Sequence, residues 1–318
     1  MLHEIIAQIG RCRRFLLTAH VRLDGDALGS ELALSHLLRS LGKDAVVYNE
    51  DRTPENYRFL PGSDAIVNTL DDPGSYDAAF ILDCSELERV GEKAADIARI
   101  GTLINIDHHI SNDGFCRYAY VDPAASSTGE LIYRLAAAMS IPLSREMATN
   151  LYAAILTDSG GFRYGSTGKE TLIAAGHLVG AGADPQWISE NIYENNPLVR
   201  VRLLGKVLET MRLDLDDRVG SMAAFRQTLD ELGATLEHAE NFVDIPRTIR
   251  GVDVAIFYTE IRKGLFKLSL RSKDRISVES VAKAFGGGGH MNAAACRIEG
   301  EFEEVHRRVL DAVRTVLA

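Results

Sequence analysis

Four apolar runs frame the first half of the chain. RFLLTAH, DAVVYN, YDAAFILDCS and TLINIDHH are almost continuously apolar, and each ends on polar or turn-forming residues. That pattern predicts strands buried on both faces. Stretches of helical period lie between and after them. In DALGSELALSHLLRSLG, Leu28, Leu32, Leu34, Leu37, Leu38 and Leu41 recur near helical spacing, and Gly42 is a stop signal. Residues 3–13, EKAADIARIG, STGELIYRLAAAMSI, SREMATNLYAAILTDSGGF and KETLIAAGHLVGAG read as further helices. Strands alternating with helices predict an α/β fold with a mostly parallel, doubly wound sheet.

The pattern changes near residue 190. WISENIYENNPLVRVRLLGKVLETM reads as a helical connector interrupted around Pro197. Beyond it, RVGSMAAF, DVAIFYTEI, LFKLSLRS and AAACRIEG read as strands, and ISVESVAKAFGGGG as a helix running into glycines. The expectation is a domain over 1–190, a helical linker over 191–212, and a smaller α/β domain over 213–318. A length of 318 residues suits two domains.

Composition narrows the partners. The formal net charge of −10 argues against a protein that coats long duplex nucleic acid. Cys12, Cys84, Cys116 and Cys296 form no CxxC pair, so neither a zinc framework nor a disulfide scaffold is expected. The first twenty residues lack the order of a secretory leader. No stretch approaches the ~20 apolar residues of a membrane span. A cytoplasmic protein with no membrane partner is the expectation. His3, His36, His177 and His238 stand in no motif and are expected at the surface, and Trp187 in the core or at a domain interface.

Candidate chemistry concentrates at predicted strand ends. His20, Asp24 and Asp26 form an H-x-x-x-D-x-D array on a strand-to-helix turn. Asp83 and the triplet Asp107-His108-His109 end two further strands, and Asp158 ends a later helix. Functional groups in parallel sheets gather at the carboxyl ends of strands. Alone, Asp24 or Asp26 would be an ordinary helix N-cap, Asp83 a turn residue, and Asp158 a loop residue. Together they offer nitrogen and oxygen ligands without thiolates. Such a set suits Mn²⁺, and also Co²⁺, Mg²⁺ or Zn²⁺. There are enough ligands for two metals, with one carboxylate able to bridge. Two metals ~3.5–4 Å apart serve phosphoryl chemistry by neutralising charge and generating hydroxide at neutral pH.

The ordered motifs HVRLDGDALGS, ILDCSE, NIDHHISN and ILTDSGGFRY, with the tail GGGGHMNAAACRI, resemble the DHH phosphoesterase superfamily and its associated C-terminal domain. The likeness runs over almost the whole chain. It implies that His20, Asp24 and Asp83 hold one metal and that Asp26, Asp83, His108 and Asp158 hold the other, Asp83 bridging. It implies that His109 faces the phosphate or the leaving group, as hydrogen-bond donor or general acid. Asp107 would orient a histidine or the strand end. Two positions depart from the common pattern: Leu23 stands where a proline often precedes Asp-Gly-Asp, and Ala295 where a glycine is frequent.

The second domain reads as a nucleotide holder. If LFKLSLR is a strand, Lys267, Ser269 and Arg271 share one face, opposite Phe266, Leu268 and Leu270. The lysines fit a solvated edge, whereas Arg271 can fork to a phosphate. A lone glycine run is usually a turn. Its likeness to the family tail makes Gly287, Gly288, Gly289 and His290 candidate substrate contacts. Arg163 and Tyr164 could contact substrate or simply pack the loop of Asp158.

Length and the absence of membrane segments place the chain nearest the compact nanoRNase and pAp-phosphatase branch. The expectation is a two-metal phosphoesterase, most readily with Mn²⁺, in which a bridging hydroxide attacks phosphorus. Its substrates would be short oligoribonucleotides, giving nucleoside 5′-monophosphates, or pAp, giving AMP and phosphate. A phosphodiesterase of linear or cyclic dinucleotides and a nucleotide-binding regulator with little turnover are the alternatives. A symmetric homodimer is the prior for assembly.

Overall fold

The four apolar runs and a fifth, shorter one assemble into a single sheet. The computed structural model describes residues 2–273 and 276–317, with the backbone alone at His290. The strands are β1 (Arg14–Thr18), β2 (Asp44–Val47), β3 (Ala78–Leu82), β4 (Leu103–Asp107) and β5 (Tyr118–Val121), all parallel, in the order β2-β1-β3-β4-β5. Alternate residues serve opposite faces, as the pleat requires. Phe15, Leu17, Phe80 and Leu82 join one core, while Leu16, Ala79 and Ile81 join another. The fifth strand, YAYV, is half-buried at the sheet edge. Its apolar signal is too short to stand out in the sequence.

The first core is covered by long helices: α1 (Leu2–Arg11), α2 (Gly25–Ser40), α4 (Thr128–Ala138), α5 (Arg145–Asp158) and α6 (Lys169–Gly180). The other face carries only α3 (Ala94–Ile97) and short helical turns, because Ile97 and Ile100 are the buried positions of that segment. A helix over the whole of EKAADIARIG is therefore not formed. Helices α2 and α5 cross closely. A Cβ on Gly29 would lie 2.4 Å from the Asn150 carbonyl oxygen, and one on Gly25 would lie 2.5 Å from Thr157 Oγ1. These contacts run antiparallel, so the start of α2 meets the end of α5. Asp26 and Asp158 are carried to the same place.

Residues cluster into two compact units, Met1–Asn195 and Asn196–Ala318. The first ends with α7 (Pro185–Ser189) and a π-helical turn over Glu190–Glu194. Trp187 is not core: it is 43% exposed and meets Phe59 edge-on at 5.1 Å. The second unit begins with α8 (Leu198–Leu208), whose Leu203 and Val207 are buried with Met222 and Phe257.

The second unit is a mixed sheet of β6 (Arg212–Asp214), β7 (Val219–Ala224), β8 (Val254–Arg262), β9 (Leu265–Ser272), β10 (Gly288–His290) and β11 (Ala293–Glu299), ordered β10-β11-β9-β8-β7-β6. Helices α9 (Arg226–Leu232), α10 (Asp244–Arg247), α11 (Val278–Lys283) and α12 (Phe302–Leu317) complete it. The alternation read in LFKLSLR is real: Phe266, Leu268 and Leu270 are buried, and Lys267, Ser269 and Arg271 face the other way, half-buried. Among the described residues, no helix is long and apolar enough to cross a membrane.

Candidate metal centre

The strand order reverses direction between β1 and β3, and crevices at such switch points are where open α/β sheets bind ligands. His20 follows β1 and Asp83 follows β3. His20 Nε2 stands 3.3 Å from Asp83 Oδ2 and 3.7 Å from Asp24 Oδ2. Asp83 holds a left-handed backbone, φ 56°, which turns its carboxylate back over the sheet end. Such conformations in non-glycine residues cluster at functional sites.

Asp24 does both things the sequence allowed. Its Oδ1 caps α2 by accepting from the Asp26 and Ala27 amides at 3.1 and 3.0 Å. Its Oδ2 faces His20. Asp26 is buried in the first turn of α2, and the start of α4 grips it. The amides of Thr128 and Gly129 donate to Oδ2 and Oδ1 at 2.7 and 2.8 Å, and Ser30 Oγ donates at 3.1 Å. Thr128 Oγ1 donates to Asp83 Oδ1 at 3.0 Å. Ser30, Thr128 and Gly129 are site residues that motif reading missed. Ser30 closes the HVRLDGDALGS motif, and Thr128 and Gly129 lie in the helix start at SSTGE, where Ser127 caps α4 by accepting from the Glu130 amide.

His108 joins the carboxylates together. Its Nε2 lies 3.4 Å from Asp158 Oδ2, 3.6 Å from Asp83 Oδ1 and 3.8 Å from Asp26 Oδ2. Backbone carbonyls set both rings: His20 Nδ1 bonds the Val21 oxygen at 2.9 Å and His108 Nδ1 the Ala125 oxygen at 3.3 Å. A carbonyl can only accept, so each Nδ1 carries a proton, and Nε2 is the ring atom turned toward the carboxylates and open to a cation in their place. His109 is held differently. Its Nδ1 donates to Asp107 Oδ1 at 2.6 Å, and Asp107 is fully buried at the end of β4.

Three overlapping groups result: His20, Asp24 and Asp83; Asp26, His108 and Asp158; and Asp83, His108 and His109. Within each group the ligand-type atoms lie within 4.8 Å of one another. Crowded carboxylates dominate the electrostatics. Burial, and then repulsion from Asp83, Asp158 and Asp24, drives Asp26 well above the usual carboxylate range. Burial, with Asp83 and Asp24 adding, pushes Asp158 up to about 7. Burial also opposes the ionisation of Asp83, but the His20 hydrogen bond and the His109, His20 and His108 charges outweigh it and hold Asp83 low. For His20, burial disfavours the charged form, yet Asp83 and Asp24 push it up to about 9. Burial and mutual repulsion thus favour the neutral form of Asp26 and Asp158, while the histidines keep Asp83 ionised. The donor set fits divalent cations: donors ~2.1 Å from a shared cation stand roughly 3–3.4 Å apart, close to the separations seen.

The second-unit candidates are placed as follows. Arg271 Nη1 donates to the Leu270 carbonyl at 3.1 Å, and its Nε lies 4.0 Å from Asp244 Oδ1. Gly287 and Gly289 lie against β11, where an added Cβ would meet the Ala295 and Ala293 oxygens at 2.2 and 2.4 Å. Gly288 has open space around its Cα. The side chain of His290 lies outside the described residues. In the Asp158 loop, Arg163 Nε donates to the Gly160 carbonyl at 2.6 Å, and the Tyr164 ring packs across Gly160.

Comparison with known proteins gives the family. Residues 14–155 match the DHH family N-terminal domain and residues 222–318 the DHHA1 domain. A protein of Thermus thermophilus named bifunctional oligoribonuclease and PAP phosphatase NrnA is 33% identical over 304 residues, covering 95% of this chain and 89% of that one. A protein of the same name from Bacillus subtilis is 27% identical over 316 residues, covering 98% and 97%. The crystal structure of an exopolyphosphatase-related protein from Bacteroides fragilis superposes with a TM-score of 0.94 at 30% identity, over 99% of this chain and 95% of that one. Matched in both units and along nearly its whole length, this chain belongs to the DHH family.

Proposed function

We propose that this chain is a metal-dependent phosphoesterase that hydrolyses very short oligoribonucleotides to nucleoside 5′-monophosphates, and pAp to AMP and phosphate. The carrying observation is the pair of ligand groups at the β1/β3 switch point, each with a histidine Nε2 turned inward by a carbonyl on Nδ1. His20, Asp24 and Asp83 would hold one divalent metal. Asp26, Asp83, His108 and Asp158 would hold the other, with Mn²⁺ favoured by the mixed imidazole and carboxylate donors. Such metals neutralise phosphate charge and lower the pKa of water.

One site can serve both substrates because both reactions break the same bond. Cleaving a 3′–5′ linkage to a 5′-monophosphate, and removing the 3′-phosphate of pAp, each break P–O3′ and form a P–O bond to water. In both, a ribose 3′ oxygen leaves and needs a proton. His109, with Nδ1–H committed to Asp107, has Nε2 as the atom to deliver it. Arg271 and Gly287 to Gly289, with His290, are the proposed nucleotide contacts of the second unit. The names of the NrnA relatives support this reading. Cytoplasmic placement and a symmetric dimer belong to it as well.

The test is Mn²⁺-dependent turnover of a 5′-phosphorylated RNA dinucleotide and of pAp, with Asp83→Ala as control. Monophosphate released by the native chain alone is the expected result. Tight nucleotide binding without turnover of either substrate would overturn the proposal in favour of a nucleotide-binding regulator.

A further inference from the structure

Asn105 and Asn112 flank the DHH triplet, and neither has a part in the chemistry above. Their amides nonetheless form a single directed chain. Asn112 Oδ1 accepts from the Gly114 amide at 3.0 Å, so its Nδ2 must face the other way. There it meets three acceptors: Asp107 Oδ2 at 2.7 Å, Asn105 Oδ1 at 2.8 Å and the Cys84 carbonyl at 3.2 Å. Asn105 is fully buried on β4. Its Nδ2 donates to the Ile81 and Cys84 carbonyls at 3.0 and 3.1 Å, which leaves Oδ1 for Asn112. Every amide atom has one allowed role, so the direction of the chain is set.

The chain ends on the carboxylate that holds His109. Asp107 Oδ1 takes the His109 Nδ1 proton at 2.6 Å and the His109 amide at 3.2 Å, and Oδ2 takes Asn112. A carboxylate held at one oxygen can swing about its last torsion; held at both, it cannot. We propose that Asn112 is a positioning residue for proton delivery: acting through Asp107, it aims His109 at the leaving 3′ oxygen, and Asn105 fixes Asn112. This rests on His109 serving as the leaving-group acid.

The test uses the full-length protein with Mn²⁺ and two RNA dinucleotides. One is the natural compound. In the other, sulfur replaces the bridging 3′ oxygen, so the thiolate departs without a proton. Asn112→Ala is expected to lower kcat on the natural compound about 10- to 100-fold with KM little changed, as loss of an outer partner does, and to act near the native rate on the sulfur compound. In the His109→Ala background the same change should cost nothing further, since its effect passes through His109. Asn112→Leu, close in size but lacking the donor, should behave like Asn112→Ala and serves if the alanine variant folds poorly. Equal losses on both dinucleotides, or full additivity with His109→Ala, would overturn the inference. If His109→Ala itself loses both reactions equally, the acid role falls, and the inference with it. If His109→Ala is selective and Asn112→Ala is not, only the inference falls.

Discussion

Each unit buries a histidine against a carboxylate, and the two neighbourhoods differ in balance. In the second unit, His306 Nδ1 pairs with Tyr258 Oη at 3.0 Å, and Nε2 lies 3.3 Å from Asp214 Oδ2. Arg212 sits beside them, bonded through both terminal nitrogens to Glu303 at 2.7 and 2.9 Å. Burial, with Arg212 helping, pulls the His306 pKa down against Asp214. Each ring nitrogen of His306 faces a single oxygen, Tyr258 Oη or Asp214 Oδ2, and the Arg212–Glu303 pair lies alongside. In the first unit, Asp24, Asp26, Asp83 and Asp158 converge on His20 and His108, and among the described residues no lysine or arginine pairs with them. A third ring joins them at the edge, His109 Nδ1 lying 3.6 Å from Asp83 Oδ1, so four carboxylates crowd against imidazoles alone. Buried carboxylates beyond their counter-charges are costly unless a metal or protons neutralise them. The same residue types thus stand as a brace in one unit and as a candidate ligand cage in the other.

Four measurements can break or sharpen that contrast. The largest effect should come from Asp83→Asn, which removes the carboxylate shared by two ligand groups. A fall in turnover of roughly 10³-fold or more is expected, equivalent to about 4 kcal/mol; near-native rates would show that the cage is not the catalytic centre. Next is metal binding itself. Mn²⁺ at about 100 times its Kd should stabilise the fold by ~2.7 kcal/mol, read as a raised Tm against an EDTA control. That shift should vanish in Asp83→Asn and survive in His306→Gln.

His306→Ala should cost about 1–3 kcal/mol in urea denaturation, because it strips Tyr258 and Asp214 of a buried partner. It should leave metal dependence untouched. A variant that lost metal-dependent activity while remaining folded would mean that the second unit's cluster is more than a brace.

The smallest effect concerns Glu31 on α2, which is fully buried and accepts from Asn49 Nδ2 at 2.8 Å through Oε2. Burial pushes its pKa up to about 8; the Asn49 bond and the His20 charge oppose this, and Asp83 adds to it. A carboxyl raised on folding binds its proton more tightly in the native state. Its contribution to stability is therefore complete below about 4.5 and is lost as pH rises through about 8. Metal-free protein should lose stability across that window, and Glu31→Gln, which cannot ionise, should flatten the slope. Identical slopes in urea titrations of the two proteins would show that Glu31 does not titrate there.

Local pattern carried much of this. Continuous apolar strands and helical spacing announced a parallel α/β sheet, because burial on both faces leaves no alternation to hide. The ligand-type residues were legible because the chemistry admits only a few residue types and the topology requires them at strand ends. Less local features were not legible. Asn105, Asn112, Ser30 and Thr128 are common polar residues whose task depends on which oxygen lies opposite, and nothing in their spacing gives that. Trp187, expected in the core or at a domain interface, is 43% exposed near the end of the first unit.

The sequence by itself determined the fold class, the order of the strands along the chain, and the six ligand-type side chains His20, Asp24, Asp26, Asp83, His108 and Asp158. Tertiary structure alone decided how they meet. The close, glycine-permitted crossing of α2 and α5 brings Asp26 to Asp158. At the left-handed turn of Asp83 one carboxylate faces three histidines, His20, His108 and His109. The start of α4 holds Asp26 by its amides. The physical reason is that identity and period are written residue by residue, whereas a hydrogen bond across a hundred positions exists only once packing has brought its ends together.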